Sequence, residues 1–411
     1  MTFDGRLKYL VLGALALLFF ILNACTFNGL GVVLPYMVEE LGWSWATAGV
    51  GFTLLGIACG LSGLIPALLI RKFGVSRTML TGGTVLFSGF ACLALTYNPF
   101  VYFLGTILLG IGFAICGQVP AVNVISHSFK KHSTAMGFYF TVGGLGSVAG
   151  PLIAFATQEF TNEWRLFWGG AAVAALLLSM FTSAVTATRW NNKDAGGKAK
   201  SADAKVGWNV RAAMRTPQYY VIVGAYTSLL LISTTVHGFA VQHLSDSGLG
   251  MGGAATVMSA LALISAGASA VAGVAGEKMK PRALSMLSLA TAIIGVFALM
   301  GGNNPAAIGI ATLGLGIGIG FSYVSVAMLL LDVFGKRPNL ELYSTMSLIS
   351  TSAAIGPALG GIARDQLGSF SLVFLACGLI GTAFFMALLL FKRPTQPVEA
   401  EEAETVLAPA C

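Results

Sequence analysis

The sequence predicts an all-α polytopic membrane protein, with twelve transmembrane helices arranged as two six-helix bundles, and three observations predict it. Of the 411 residues 56% are hydrophobic and only 9% are charged, whereas a soluble domain carries about 25% charge. The apolar residues gather into stretches close to the ~20 residues that a helix needs to cross a bilayer. The chain also repeats itself across a polar centre.

In order, the spans read as 8–36, 46–70, 78–97, 101–127, 135–158, 165–187, 218–244, 252–275, 283–301, 305–331, 343–363 and 369–391. Of the 23 Lys and Arg residues, all but Arg165 and Arg364 fall in segments that this alternation puts on one side. Loops on the cytoplasmic side retain Lys and Arg, so both termini are expected in the cytoplasm, and the chain in the cell inner membrane. The net charge of +7 is spread over loops and tails rather than gathered on one face, so no nucleic-acid partner is expected. Trp43, Trp45, Trp164 and Trp168 fall near one set of span ends and Trp190 and Trp208 near the other, where indoles anchor at the lipid interface. Cys25, Cys59, Cys92, Cys116 and Cys377 lie inside spans, so neither a disulfide nor a metal site is expected.

The organisation is an N-terminal bundle (1–188), a cytoplasmic linker (189–217), a C-terminal bundle (218–392) and a disordered acidic tail (393–411). In the linker, Val206, Val210 and Met214 oppose Arg211 and Arg215, which predicts a short amphipathic helix on the inner leaflet. The repeat pairs Gly150-Pro151 with Gly356-Pro357, and a duplicated six-span unit follows. These pairs allow close helix approach and a kink, and so read as gating elements.

The membrane interior holds neutral polar groups, and Asn28, Gln118, Asn123, Tyr139, His237, Ser269, Tyr323 and Thr351 are the substrate-binding candidates. In lipid such groups must point to a partner or to water. For a single Ser or Thr the plainer reading is a bond back to its own helix; Asn28, Gln118 and Asn123 cannot be satisfied so simply. His237 lies well inside a span and is the proton-coupling candidate, against a neutral imidazole bonded between helices. Asp332, Glu341 and Asp365 sit at span ends and read as loop or gate contacts. There is no GxxxxGK[ST] and no convergent catalytic cluster, so neither a nucleotide-driven pump nor an enzyme is expected, and no cofactor.

Six plus six spans, a basic central loop and Gly-Pro in the fifth and eleventh spans resemble the major facilitator superfamily. Its loop motif is degenerate after the second span, where "ALLIRKFGVSR" has Ala67 for Gly and Arg71 for Asp. It is sharper after the eighth, where "GVAGEKMK" keeps Gly273, Glu277, Lys278 and Lys280. The resemblance implies gating roles for Arg71, Lys72, Glu277 and Lys278. The stretches "NGLGVVLPYMVEELGWSWATAG", "SFKKHSTAMGF", "VRAAMRTPQYY", "LLLDVFGKR" and "GPALGGIARDQLGSFSLVF" resemble the bacterial monocarboxylate-porter-like and oxalate/formate-antiporter-like branch. That implies a monomeric secondary active transporter. It would move a small organic solute, a monocarboxylate or related organic acid, by alternating access, with a co-transported or exchanged ion or solute. The chain departs from that branch at its charges. Ser269 stands where an Arg is common, Ser265 and Asn28 where animal members carry Asp and Lys, and the eleventh span has no Lys. The alternative is a neutral, zwitterionic or aromatic solute, or efflux of hydrophobic compounds.

Overall fold

The computed structural model describes residues 7–129, 132–187, 208–275, 279–335 and 338–394. Residues 189–207 of the linker, the tail beyond Pro394, and Glu277 and Lys278 lie outside the described residues. Among the described residues there are helices and no strands. The first span runs Leu7–Leu41. The continuous helix Trp45–Ala94 is 50 residues long, but Gly74 interrupts it at φ 81°, ψ 169°, a backbone region that residues with a β-carbon rarely adopt. It is therefore two crossings, 45–73 and 75–94. The fourth to sixth spans are 99–128, His132–Thr161 and Trp164–Ala187. The seventh to tenth are Pro217–Leu244, Met251–Ala275, Pro281–Leu299 and Pro305–Phe334. The eleventh is 339–367 and the twelfth Ser371–Leu389. Twelve crossings result among the described residues, as hydropathy predicts.

Local chemistry sets the ends of these helices. Asn98, Thr216 and Asn304 each accept a hydrogen bond from a first-turn amide, immediately before Pro99, Pro217 and Pro305. A proline at the first helical position loses no intrahelical bond, and its fixed φ suits the helix. Gly42 and Gly368, at φ 62° and 72°, end the first and eleventh spans in the left-handed region.

The bundles meet along three pairs of spans, the second with the eleventh, the fifth with the eighth, and the first with the seventh. Glycines let backbones touch there. A β-carbon at Gly49 would collide with the Pro357 carbonyl, one at Gly361 with the Trp45 carbonyl and one at Gly31 with the His237 carbonyl. The two Gly-Pro copies do related work inside their own bundles. Gly146 and Gly150 admit Phe20 and Ala24 of the first span, and Gly356 admits Leu231 and Thr235 of the seventh.

Among the described residues, the second and eleventh spans close at one end only. Gly49, Thr53, Gly56 and Gly60 form a stripe at helical spacing on the second span, facing Pro357, Ala358, Ala354 and Thr351 of the eleventh. The stripe continues into Leu64 and Leu68, and both are exposed, as are Ser347 and Leu348 across from them. The halves are thus packed at the end carrying Trp45 and Asp365 and parted toward the end carrying Arg71, Arg282 and Arg393, here called the basic end.

Two expectations are corrected. Trp164, Trp168 and Trp208 are buried rather than anchored in lipid. The Trp164 indole N–H donates to Glu40 at 2.5 Å, Trp168 stacks on Phe90 at 6.0 Å, and Trp208 meets Phe334 edge-on at 5.5 Å. The helix Val210–Met214 docks on the C-terminal bundle instead of lying free on the leaflet. Ala213 is fully buried, and Val210 and Met214 pack against the protein core.

Gly49→Val is expected to force the second and eleventh spans apart at about 1–3 kcal/mol, lowering the unfolding midpoint of the purified protein by a few degrees. Gly238→Ala, where the nearest atom to a new β-carbon is 3.7 Å away, is the control and should leave the midpoint unchanged or slightly raised, because alanine is the better helix former.

Candidate functional site

The first and fourth spans both break near mid-membrane. Thr26 leaves the helix at φ −80°, ψ −99°, and Gly117 does so at φ −77°, ψ −131°. A broken helix frees backbone groups that lipid cannot satisfy. Neighbouring side chains take them up here. The Asn28 amide donates to the Asn23 carbonyl at 2.8 Å and to Ser147 Oγ of the fifth span at 3.3 Å. Tyr139 Oη donates to the Gly117 carbonyl at 3.2 Å.

Gln118 follows the break in the fourth span. It is exposed, and its side chain makes no hydrogen bond among the described residues. In a helix at membrane depth, a free and exposed amide marks water-filled or ligand-filled space. Phe27, just after the first-span break, meets Phe113 edge-on at 5.6 Å and tilts toward Phe52 at 6.0 Å. An aromatic group thus lies between the two breaks.

From the other bundle, His237 reaches the same seam. Its Nδ1 lies 2.7 Å from the Ser233 carbonyl. A carbonyl only accepts, so Nδ1 carries the proton and Nε2 is left as an acceptor. The ring is half-buried, and its own carbonyl packs against Gly31 of the first span. Thr234 donates to the Ala353 carbonyl of the eleventh span, within the same bundle, at 3.1 Å. Asp, Glu, Lys and Arg are confined to the span ends, so the middle of the pathway is polar without a permanent charge.

The other candidates sit elsewhere. Asn123 lies half-buried in the segment that follows Gln118. Tyr139 is fully buried and stacked on Phe19 at 4.6 Å, turned into the N-terminal bundle. Ser269 donates to the Ser265 and Gly320 carbonyls, both at 2.9 Å, inside the C-terminal bundle. Thr351 bonds back to the Ser347 carbonyl at 3.1 Å and packs on Gly60. Tyr323 belongs to the tenth span. Arg71 and Lys72 are exposed at the basic end, Lys72 over the ring of Phe73 at 5.2 Å. Of these candidates, Asn28 and His237 lie on the first and seventh spans near Gly31, where the two bundles touch, and Gln118 follows the break in the fourth span. Sequence reasoning missed Ser147 and Ser233, which orient Asn28 and His237; nothing in their local sequence distinguishes them from other small polar residues.

Two pseudo-symmetric six-helix bundles, closed at one end around a polar, uncharged centre, define a membrane transporter rather than an enzyme. The Major Facilitator Superfamily model matches residues 16–350, and the chain belongs to that family. It is 27% identical to human monocarboxylate transporter 11 over 381 residues, covering 85% of this chain and 76% of that one. A shorter match, 22% over 172 residues and 41% of each chain, is to multidrug resistance protein MdtH of Klebsiella pneumoniae (strain 342). The crystal structure of the nucleoside transporter NupG superposes with a TM-score of 0.75 at 17% identity, covering 94% of this chain and 100% of that one. The protein is thus a multi-pass membrane transporter of small solutes.

Asn28→Ala and Gln118→Ala should separate structure from binding. Losing the two Asn28 bonds is expected to lower the unfolding midpoint, at about 0.6–1.5 kcal/mol per bond. Gln118→Ala should leave that midpoint unchanged and weaken solute binding several-fold, measured by ligand-induced thermal shift.

Proposed function

We propose that the protein is a proton-coupled secondary transporter of a small monocarboxylic acid. The observation that carries this reading is the His237 imidazole, whose Nδ1–H is held by the Ser233 carbonyl, which leaves Nε2 as an acceptor. A carboxylic acid arriving with its proton can pass that proton to Nε2. The carboxylate then faces an imidazolium N–H in a charge-assisted bond, and no permanent cation is needed. The Gln118 amide supplies a further donor. The proton leaves with the acid on the other side, so one binding event carries both. Similarity to a monocarboxylate transporter over most of the chain supports the same class.

A second reading, a neutral planar solute, is favoured by the Phe27, Phe52 and Phe113 cluster beside an uncharged centre. NupG, a nucleoside transporter by name, shares the fold. On either reading the basic end faces the cytoplasm of a cell inner membrane, and both termini lie there.

Uptake into proteoliposomes tests the choice. With an acid-outside gradient, small monocarboxylates should accumulate and nucleosides should not. His237→Gln is expected to abolish gradient-driven accumulation and to preserve exchange of labelled for unlabelled acid. Nucleoside uptake indifferent to the gradient would replace the first reading by the second.

Orientation is checked separately. Reporter fusions after Gly196, Lys280 and Pro394 should report cytoplasm, and fusions near Asn162, Asn303 and Gln366 the outside; any swap within either set contradicts the assignment.

A further inference from the structure

We infer that Asp365 is a helix cap shared between the two bundles, and that its release is the step that opens the closed end of the pathway. The inference rests on family membership and on the seam, and is independent of which solute is carried.

The second span begins at Trp45, and the first amides of any helix lack partners within it. Its own flank supplies one acceptor, because Ser44 Oγ takes the Thr47 amide at 3.1 Å. The other two come from the opposite bundle. Asp365, near the end of the eleventh span, accepts the Trp45 amide on one carboxylate oxygen at 2.9 Å and the Ala46 amide on the other at 2.7 Å. A carboxylate is a strong acceptor, and the N-terminal end of a helix carries partial positive charge, so charge and hydrogen bonding reinforce each other.

Further contacts surround this cap. The neighbouring Arg364 is paired with Asp246 of the seventh–eighth connection at 2.7 Å. Its guanidinium also donates to the Gly368 carbonyl and lies 5.4 Å from the Phe370 ring. Trp45 lies edge-on to Phe239 at 6.0 Å and to Phe370 at 5.4 Å, and those two rings stack at 4.7 Å. Gly361, one turn before Asp365, admits the Trp45 carbonyl. The approach of Gly361 to Trp45, the ring contacts of Trp45 with Phe239 and Phe370, and the cap itself all cross between bundles, so they are lost together when the end opens.

An exposed carboxylate bonded to two amides could instead be a local surface contact that does no more than stop the first turn from fraying. Hydrogen exchange on the full chain in lipid nanodiscs distinguishes the two. The reporter is the Ala358 amide, which donates to Thr53 Oγ1 across the same seam at 3.0 Å, more than one helical turn below the cap. If Asp365 holds the end shut, Asp365→Ala should raise exchange at Trp45 and Ala46, and by a similar factor of about five at the Ala358 segment. Asp365→Asn keeps one good acceptor, and should give a smaller shift in the same direction at both places. Faster exchange confined to the first turn, or no change at either place, would overturn the inference. Should the Ala variant fail to purify as a monodisperse species, the Asn variant carries the test, since it must move both segments or neither prediction stands.

Discussion

Everything in this molecule depends on how closely two helix backbones can approach across the seam. Dispersion falls steeply with separation, and apolar side chains gain little by leaving lipid for one another, so two bundles in a membrane hold together mainly through packing and hydrogen bonds. Gly31, Gly49 and Gly361 each face a carbonyl of the other bundle where no β-carbon fits. Contact between backbones also brings Thr53 within reach of the Ala358 amide. Where the glycine stripe of the second span gives way to Leu64 and Leu68, the bundles separate and the leucines are exposed. A change from glycine to leucine along one face thus coincides with the change from closed to open.

The same constraint governs the polar groups of the interior. Thr26, Thr227, Ser269 and Thr351 donate back to carbonyls four residues earlier, as hydroxyls in a lipid-surrounded helix commonly do. Such residues do not define a site. Amides and imidazoles have more bonding capacity than a helix can absorb, so Asn28, Gln118 and His237 retain capacity for a neighbour or a solute. That is why a centre with no permanent charge can still be selective.

Much of the fold was legible because bilayer thickness fixes span length, and charge retention fixes which loops carry Lys and Arg. The pairing of Gly150-Pro151 with Gly356-Pro357 likewise anticipated related contacts in the two bundles. The break at Gly117 carried a local signal that went unread: Pro120 cannot donate to the Cys116 carbonyl and its ring crowds that carbonyl, and Tyr139 takes up the Gly117 carbonyl. The break at Thr26 was not legible, since it depends on a partner in the fifth span, Ser147 by way of Asn28. The burial of Trp164 and Trp168 was hidden for a similar reason. An indole at a span end suits an interface, and only tertiary contact with Glu40 or Phe90 decides otherwise. Asp365 was visible as an acidic residue at a span end, but its acceptors' donors lie about 320 residues away in the chain, beyond any local signal.

The two ends of the pathway are built differently, and the difference has a direction. In the resembled family a carboxylate after the second span braces the basic end, and this chain has Arg71 at that place. At the other end Asp365 caps the second span, Arg364 is anchored by Asp246, and three aromatic rings close over the seam. A two-state transporter rests in whichever state has the better-satisfied closed end, and a solute moves it only through differential affinity for the two. The cap at one end, and Arg71 in place of a carboxylate at the other, accompany the arrangement observed here, shut beside Trp45 and parted at the basic end.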